Sequence, residues 1–209
     1  MLKHFLFLLL IGAAGSTHAA TPTILVFGDS VSAGYGLPRG QSWVDLLQAR
    51  LAREHADYRV VNASLTGETA EGGRRRLPAA LDQHRPQITI LELGGNDGLR
   101  GARIDTLRAN LTAMIAECRR HDSRVLLVGM TLPPNYGSEY GEKFRAVYAA
   151  LAKAQRVPLA PFLFEGFATD SGMFQADGIH PVAAAQPRML DNVWPYLRPL
   201  LTAKTPSSR

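Results

Sequence analysis

Short apolar runs alternate with longer amphipathic segments along the chain after residue 20. Five runs have the length and the β-branched content of buried strands. They are residues 24–28, 59–63, 87–93, 124–130 and 157–161. Strands that alternate with helices in this way predict a five-stranded parallel sheet with helices on both faces, a three-layer α/β/α fold.

The segments between the strands place apolar residues every three or four positions, as amphipathic helices do. Helices are predicted at 42–55, from the turn 64–69 to about residue 84, and at 104–121, 139–155 and 181–201. Ser42 and Asp45 have the spacing of a capping box. Pro181 suits the first position of the last helix, where no N–H is needed. Cys118 falls on an apolar helix face and is predicted to be a core residue.

Small polar turns follow the strands, and a parallel sheet brings these turns to one edge. Ser30 follows the first strand, Gly67 the second and Asn96 the third, while Asp177 and His180 precede the last helix. Each residue alone has an ordinary explanation, because serine caps helices and the other types are common in turns. Their convergence at one edge favours an active site.

These residue types fit acyl transfer by a serine nucleophile. The hydroxyl of Ser30 needs a base to take its proton, and His180 is the candidate. Asp177, three residues earlier in the same turn, can hold the other ring nitrogen of the histidine. The N–H groups of Ser30 and Gly67 and the side-chain amide of Asn96 can donate to the oxyanion that forms.

The same residues resemble the conserved blocks of a known family. Gly28-Asp29-Ser30-Val31 resembles a Gly-Asp-Ser-Leu block, with valine in place of leucine, and Gly67, Gly94–Asp97 and Asp177–His180 resemble three further blocks in the same order. The chain resembles the SGNH (GDSL) serine hydrolases, and within them the bacterial periplasmic esterase, thioesterase and lysophospholipase group. The resemblance implies a flavodoxin-like sheet, a Ser–His–Asp triad, no metal and no cofactor.

Other hydrolase and nucleotide-binding motifs fail on single residues. A lipase-type nucleophile elbow needs glycine where Ser32 stands. A P-loop needs lysine where Gly73 stands. The six histidines contain no His-x-x-x-His pair, which disfavours a zinc hydrolase.

The first 19 residues have the pattern of a secretory signal. Lys3 is followed by an apolar run, Phe5–Ile11, that is too short to span a membrane, and small residues then lead to a cleavage site after Ala19. We therefore expect a periplasmic protein with one domain at 20–202 and a loose tail at 203–209. Cys118 is the only cysteine, so no internal disulfide is possible.

Charge says little about partners. The chain carries a net charge of +5, which is not clustered enough to indicate nucleic-acid binding, and we expect no nucleic-acid partner. The run Arg74–Arg76 is predicted to be a solvated helix face, so membrane contact is at most peripheral. A monomer is the default expectation.

The expected substrates are small acyl esters or thioesters with short to medium acyl chains, and lysophospholipids. The segments 98–101 and 132–136, with Phe162 or Phe164, either wall the acyl site or are ordinary packed loops. Two alternatives remain open at this stage. One is a carbohydrate O-acetylesterase on the same scaffold, and the other is a non-catalytic periplasmic binder of acyl or lipid ligands.

Overall fold

A computed structural model describes residues 21–54 and 57–202 of the chain. The expected signal peptide and C-terminal tail therefore lie outside the described residues. Within them, no helix is long and apolar enough to cross a membrane.

The sheet has five parallel strands in the order β2-β1-β3-β4-β5. Their bounds are β1 Thr23–Gly28, β2 Arg59–Asn62, β3 Ile88–Glu92, β4 Arg124–Val128 and β5 Leu159–Ala160. Ile24 of β1 pairs with Val60 on one side and with Ile88 on the other. This is the flavodoxin-like order, in which the order of the strands reverses between β1 and β3 and leaves a crevice at their carboxyl ends.

Seven α-helices occur in the described residues. They are α1 Ser30–Ala33, α2 Trp43–Glu54, α3 Ala70–His84, α4 Gly95–Leu99, α5 Ile104–Arg120, α6 Ser138–Gln155 and α7 Gln186–Thr202. Helix α2 packs against α7, while α3 and α6 pack against α5, so two groups of helices cover the sheet. The predicted three-layer fold is confirmed.

The core forms where the helices meet the central strands. Every residue of β1 and β3 is buried, whereas β2 at the edge is half-buried or exposed. Cys118 is buried in this core, and burial raises the pKa of its thiol to about 12, so the thiol stays protonated at neutral pH. The predicted Ser42–Asp45 capping box is present, because each backbone N–H donates to the other side chain.

The predicted start of the last helix at Pro181 is wrong. Pro181 forms an antiparallel bridge with Phe174, and α7 begins only at Gln186, after a short 3₁₀ turn at Ala183–Ala185. The backbone N–H of Val182 donates to Met173 O at 2.9 Å, so these residues close a loop and cannot also open a helix.

Three smaller predictions are also corrected. The fifth strand has two residues, since only Leu159 and Ala160 reach the edge of β4. The polar turn after β3 is a one-turn helix, α4. Arg76 is not a solvated residue, because it pairs with Glu68 at 3.0 Å and its guanidinium lies 4.1 Å from the ring centroid of Phe27.

Candidate active site

Ser30 sits on a tight turn between β1 and α1. The Asp29 side chain caps this helix by accepting from Val31 N at 3.0 Å, and Gly34 ends it in a left-handed conformation. Gly28 has no room for a side chain, because a Cβ there would lie 2.5 Å from a carboxyl oxygen of Glu92. The turn therefore holds the Ser30 hydroxyl at the carboxyl end of β1, beside the crevice between β1 and β3.

The structure brings His180 and Asp177 to this hydroxyl. His180 Nε2 lies 2.9 Å from Ser30 Oγ, and His180 Nδ1 lies 2.7 Å from Asp177 Oδ2. The other oxygen of Asp177 accepts from the backbone N–H groups of Ile179 and His180, at 2.9 and 3.0 Å. These are the contacts that a serine nucleophile, its base and the group that orients the base require.

Hydrogen bonds to the carboxylate, together with its partial exposure to water, keep Asp177 ionised. The backbone N–H of His180 is the largest cause, and the pKa of Asp177 falls to about 2. The carboxylate thus accepts a hydrogen bond from the imidazole across the whole neutral range.

Two backbone N–H groups near Ser30 are available as donors. Among the described residues, neither Ser30 N nor Gly67 N donates to a protein acceptor. Ser30 opens α1, where N–H groups have no partner within the helix. Gly67 lines the same cavity as Ser30, at a φ of +78° that favours glycine.

The third expected donor, Asn96, already has two partners. Its Nδ2 donates to Asp29 Oδ2 at 3.1 Å and to the backbone oxygen of Glu68 at 3.0 Å. Asn96 lines the same cavity as Ser30 and Gly67. An incoming oxyanion must therefore share one of these N–H groups or displace its present acceptor.

Two buried carboxyl groups, those of Asp29 and Glu92, lie at the turn that carries Ser30. Burial raises the pKa of Asp29 to about 6 and raises the pKa of Glu92 well above its usual range. Glu92 Oε2 accepts from Ser32 Oγ at 2.6 Å, which ties the end of β3 to α1.

A cavity of about 830 Å³ opens beside the Ser30 hydroxyl. Apolar side chains form much of its wall: Leu99, Met130, Leu132, Phe162, Phe164 and Phe174. Of the 98–101 and 132–136 segments, Leu99 and residues 132–134 line this cavity. Both phenylalanines proposed for the wall, Phe162 and Phe164, line it.

A sequence profile of the GDSL-like lipase/acylhydrolase family matches residues 26–186, which include every residue of this site. The chain belongs to that family. It is an acylhydrolase, an enzyme that cleaves ester bonds, and the alternative of a non-catalytic binding protein is set aside.

Curated relatives match over nearly their whole lengths. Esterase TesA of Pseudomonas aeruginosa is 55% identical over 183 residues, which cover 88% of this chain and 91% of that protein. Thioesterase 1/protease 1/lysophospholipase L1 of Escherichia coli K12 is 41% identical over 197 residues, which cover 94% and 92%.

A solved esterase shares the fold. The crystal structure of the psychrotrophic esterase EstA from Pseudoalteromonas sp., inhibited by monoethylphosphonate, superimposes with a TM-score of 0.81 at 36% identity, and covers 87% of this chain and 99% of that one.

In the described part of the chain, no group of three or more His, Cys, Asp or Glu side chains is placed to hold a metal ion.

Several residues at the site were not predicted from the sequence. Asp29 belongs to the nucleophile block, but its contact with Asn96 depends on how β1 and β3 are placed side by side. Tyr35 packs on the imidazole of His180, and Gln175 bonds to the backbone of Tyr35. No local motif marks Gln175, which lies 140 positions from its partner in the chain.

Proposed function

We propose that the enzyme hydrolyses acyl esters through an acyl-enzyme on Ser30. His180 accepts the proton of the hydroxyl as the oxygen attacks the substrate carbonyl, and Asp177 stabilises the imidazolium that results. The observation that carries the proposal is the continuous chain of contacts from Asp177 to His180 to Ser30 at the mouth of an apolar cavity.

The negative charge that develops on the carbonyl oxygen is met by three donors. The backbone N–H groups of Ser30 and Gly67 supply two of them, and the Asn96 amide contributes one of its hydrogens. His180 then protonates the leaving group, and water releases the acid in a second step that uses the same residues.

The cavity supports substrates with an apolar acyl chain. Its volume lies in the range of small-molecule sites, about 300–1,000 Å³, and leucine, methionine and phenylalanine side chains form much of its wall. This lining disfavours the carbohydrate O-acetylesterase alternative, because sugars need more hydrogen-bonding partners. We extend the proposal to thioesters and lysophospholipids, the activities named for the Escherichia coli relative.

The remaining expectations stay part of the proposal. The N-terminal 19 residues support export to the periplasm, with a single domain at 20–202 that works as a monomer. Cell fractionation and gel filtration of the exported chain test both points.

Kinetics of purified variants test the proposed chemistry. Ser30→Ala and His180→Ala should each lower kcat by about four powers of ten on p-nitrophenyl esters. His84→Ala, a histidine in the last turn of α3, serves as the control and should keep full activity. A folded, fully active Ser30→Ala enzyme would contradict the proposal.

An ester series from acetate to palmitate, run beside thioesters, then defines the chain-length preference.

A further inference from the structure

The bond between Asp177 and His180 cannot by itself place the imidazole on the nucleophile. Both residues belong to one loop, and Asp177 also accepts from the backbone of that loop at Ile179 and His180. These bonds orient the ring within its own loop. Ser30 lies 150 positions earlier in the chain. Other contacts must therefore hold the histidine loop, residues 173–182, against the nucleophile turn, residues 28–36.

Gln175 makes such a contact. Its side-chain Nε2 donates to Tyr35 O at 2.8 Å and to Pro181 O at 3.3 Å. Its backbone N–H donates to His180 O at 2.8 Å. One residue therefore connects the turn after Ser30 with the backbone of His180 and Pro181.

The nucleophile turn is shaped to receive this glutamine. Gly36 has a φ of +72°, and a Cβ at that position would lie 2.2 Å from Gln175 Oε1. A side chain at Gly36 would push the amide away, so the glycine lets the turn pack directly against Gln175.

Tyr35 makes a second contact across the same gap. Its ring centroid lies 4.4 Å from that of His180, with the two planes tilted by 41°. The backbone N–H of Tyr35 donates to Ser30 O at 3.0 Å, so the ring is attached to the nucleophile turn. Tyr35 is 48% exposed, and core burial does not account for this placement.

We propose that Gln175 and Tyr35 are positioning residues for His180: the Gln175 amide ties the histidine loop to the nucleophile turn, and the Tyr35 ring supports one side of the imidazole. The inference rests on the proposed roles of Ser30 and His180. When the imidazole takes the serine proton, the aromatic ring also favours the cation that forms.

The test compares Gln175→Ala with a matched glutamine elsewhere. Gln48 also bridges two backbone groups, because it accepts from Val60 N at 2.7 Å and donates to Tyr58 O at 3.4 Å. It belongs to α2 and does not line the cavity. On p-nitrophenyl acetate, Gln175→Ala should lower kcat by about ten- to a hundredfold with little change in KM. Gln48→Ala should keep the wild-type kcat.

The rate of inactivation by a p-nitrophenyl phosphonate provides a second measurement. It reports attack by the serine, so it should fall for Gln175→Ala in proportion to kcat. Gln175→Glu, which keeps the size but replaces the donating amide, should show the same loss. Tyr35→Ala should also lower both rates, and Tyr35→Phe should recover most of that loss because the ring is retained.

Wild-type kcat in either Gln175 variant, or a loss confined to KM, would overturn the role of Gln175. Tyr35→Ala with unchanged rates would overturn the role of Tyr35. Ser30→Ala and His180→Ala are assayed alongside. Activity in those two variants would reject the proposed function itself, whereas their inactivity together with a normal Gln175→Ala enzyme would reject this inference alone.

Discussion

Removing the Asn96 side chain tests how the candidate oxyanion site is linked to the buried acid beneath it. Asn96→Ala deletes two hydrogen bonds, one to Asp29 Oδ2 and one to the backbone oxygen of Glu68. Asn192→Ala is a matched control. Asn192 Nδ2 also donates twice, to Leu163 O at 3.1 Å and Glu165 O at 3.0 Å, but contacts no carboxyl group.

The size of the effect depends on the protonation of Asp29. Its pKa is about 6, so the carboxyl is mostly protonated at pH 5 and ionised at pH 8. A hydrogen bond to an ionised group is worth about 1.5–3 kcal/mol, against about 1 kcal/mol for a neutral one. Loss of the Asn96 amide raises the pKa of Asp29 in the folded state further, because the amide stabilises the ionised carboxylate. The extra loss of unfolding free energy is therefore absent well below pH 6 and grows as the pH rises above 6.

Urea unfolding at the two pH values measures this difference. We expect Asn96→Ala to lower the free energy of unfolding by about 1–2 kcal/mol at pH 5 and by a further 0.5–2 kcal/mol, roughly, at pH 8. Asn192→Ala should lower the free energy of unfolding by the same amount at pH 5 and at pH 8. Steady-state assays at pH 8 should show a hundred- to a thousandfold loss of kcat/KM for Asn96→Ala, roughly the value of one oxyanion donor, and none for Asn192→Ala.

Two results would refute this reasoning. Equal losses of stability for Asn96→Ala at pH 5 and pH 8 would mean that the amide does not stabilise an ionised Asp29. Wild-type kcat/KM in a folded Asn96→Ala enzyme would show that Asn96 is not a donor to the oxyanion.

Three further predictions concern the backbone, the second buried acid and the cavity wall. Gly67→Ala and Gly40→Ala each place a methyl group in open space at a positive φ, so both should cost about 1–2 kcal/mol of stability. Only Gly67→Ala should lower kcat/KM, by about tenfold or more. The raised pKa of Glu92 makes wild-type stability fall as the pH rises above about 4.5, so Glu92→Gln should gain stability relative to wild type between pH 4 and pH 8 in urea titrations. Tyr136 donates to Leu99 O at 3.1 Å and so joins two walls of the cavity. Tyr136→Phe should change the ratio of rates on butyrate and octanoate esters, whereas Tyr140→Phe, which loses a bond to Ala102 O outside the cavity wall, should not.

The parts of the fold that depend on local pattern were predictable. Strand β1 is a buried, β-branched run followed by a glycine and a helix cap, and this pattern alone places Ser30 at a strand end. The alternation of strands and helices then requires the other glycine-bearing turns to share that edge. The Asp177–His180 contact was predictable for the same reason, because it spans three residues in one turn.

Contacts between distant segments were not predictable from local pattern. Pro181 has the properties of a helix start, yet the bridge to Phe174 and the bond from Gln175 to His180 O use this segment to close the histidine loop. The run Arg74–Arg76 looks solvated in the sequence, but packing of α3 over β1 brings Arg76 onto the ring of Phe27. Such tertiary contacts override the preference of a single residue.

Treatment with a p-nitrophenyl phosphonate, followed by peptide mass spectrometry, identifies the residue that attacks the acyl carbonyl. We expect one adduct, on the peptide that contains Ser30, formed in proportion to the loss of esterase activity. The adduct should be absent in Ser30→Ala and should form far more slowly in His180→Ala. Full loss of activity with Ser30 unmodified, or with the adduct on another residue, would rule out Ser30 as the nucleophile.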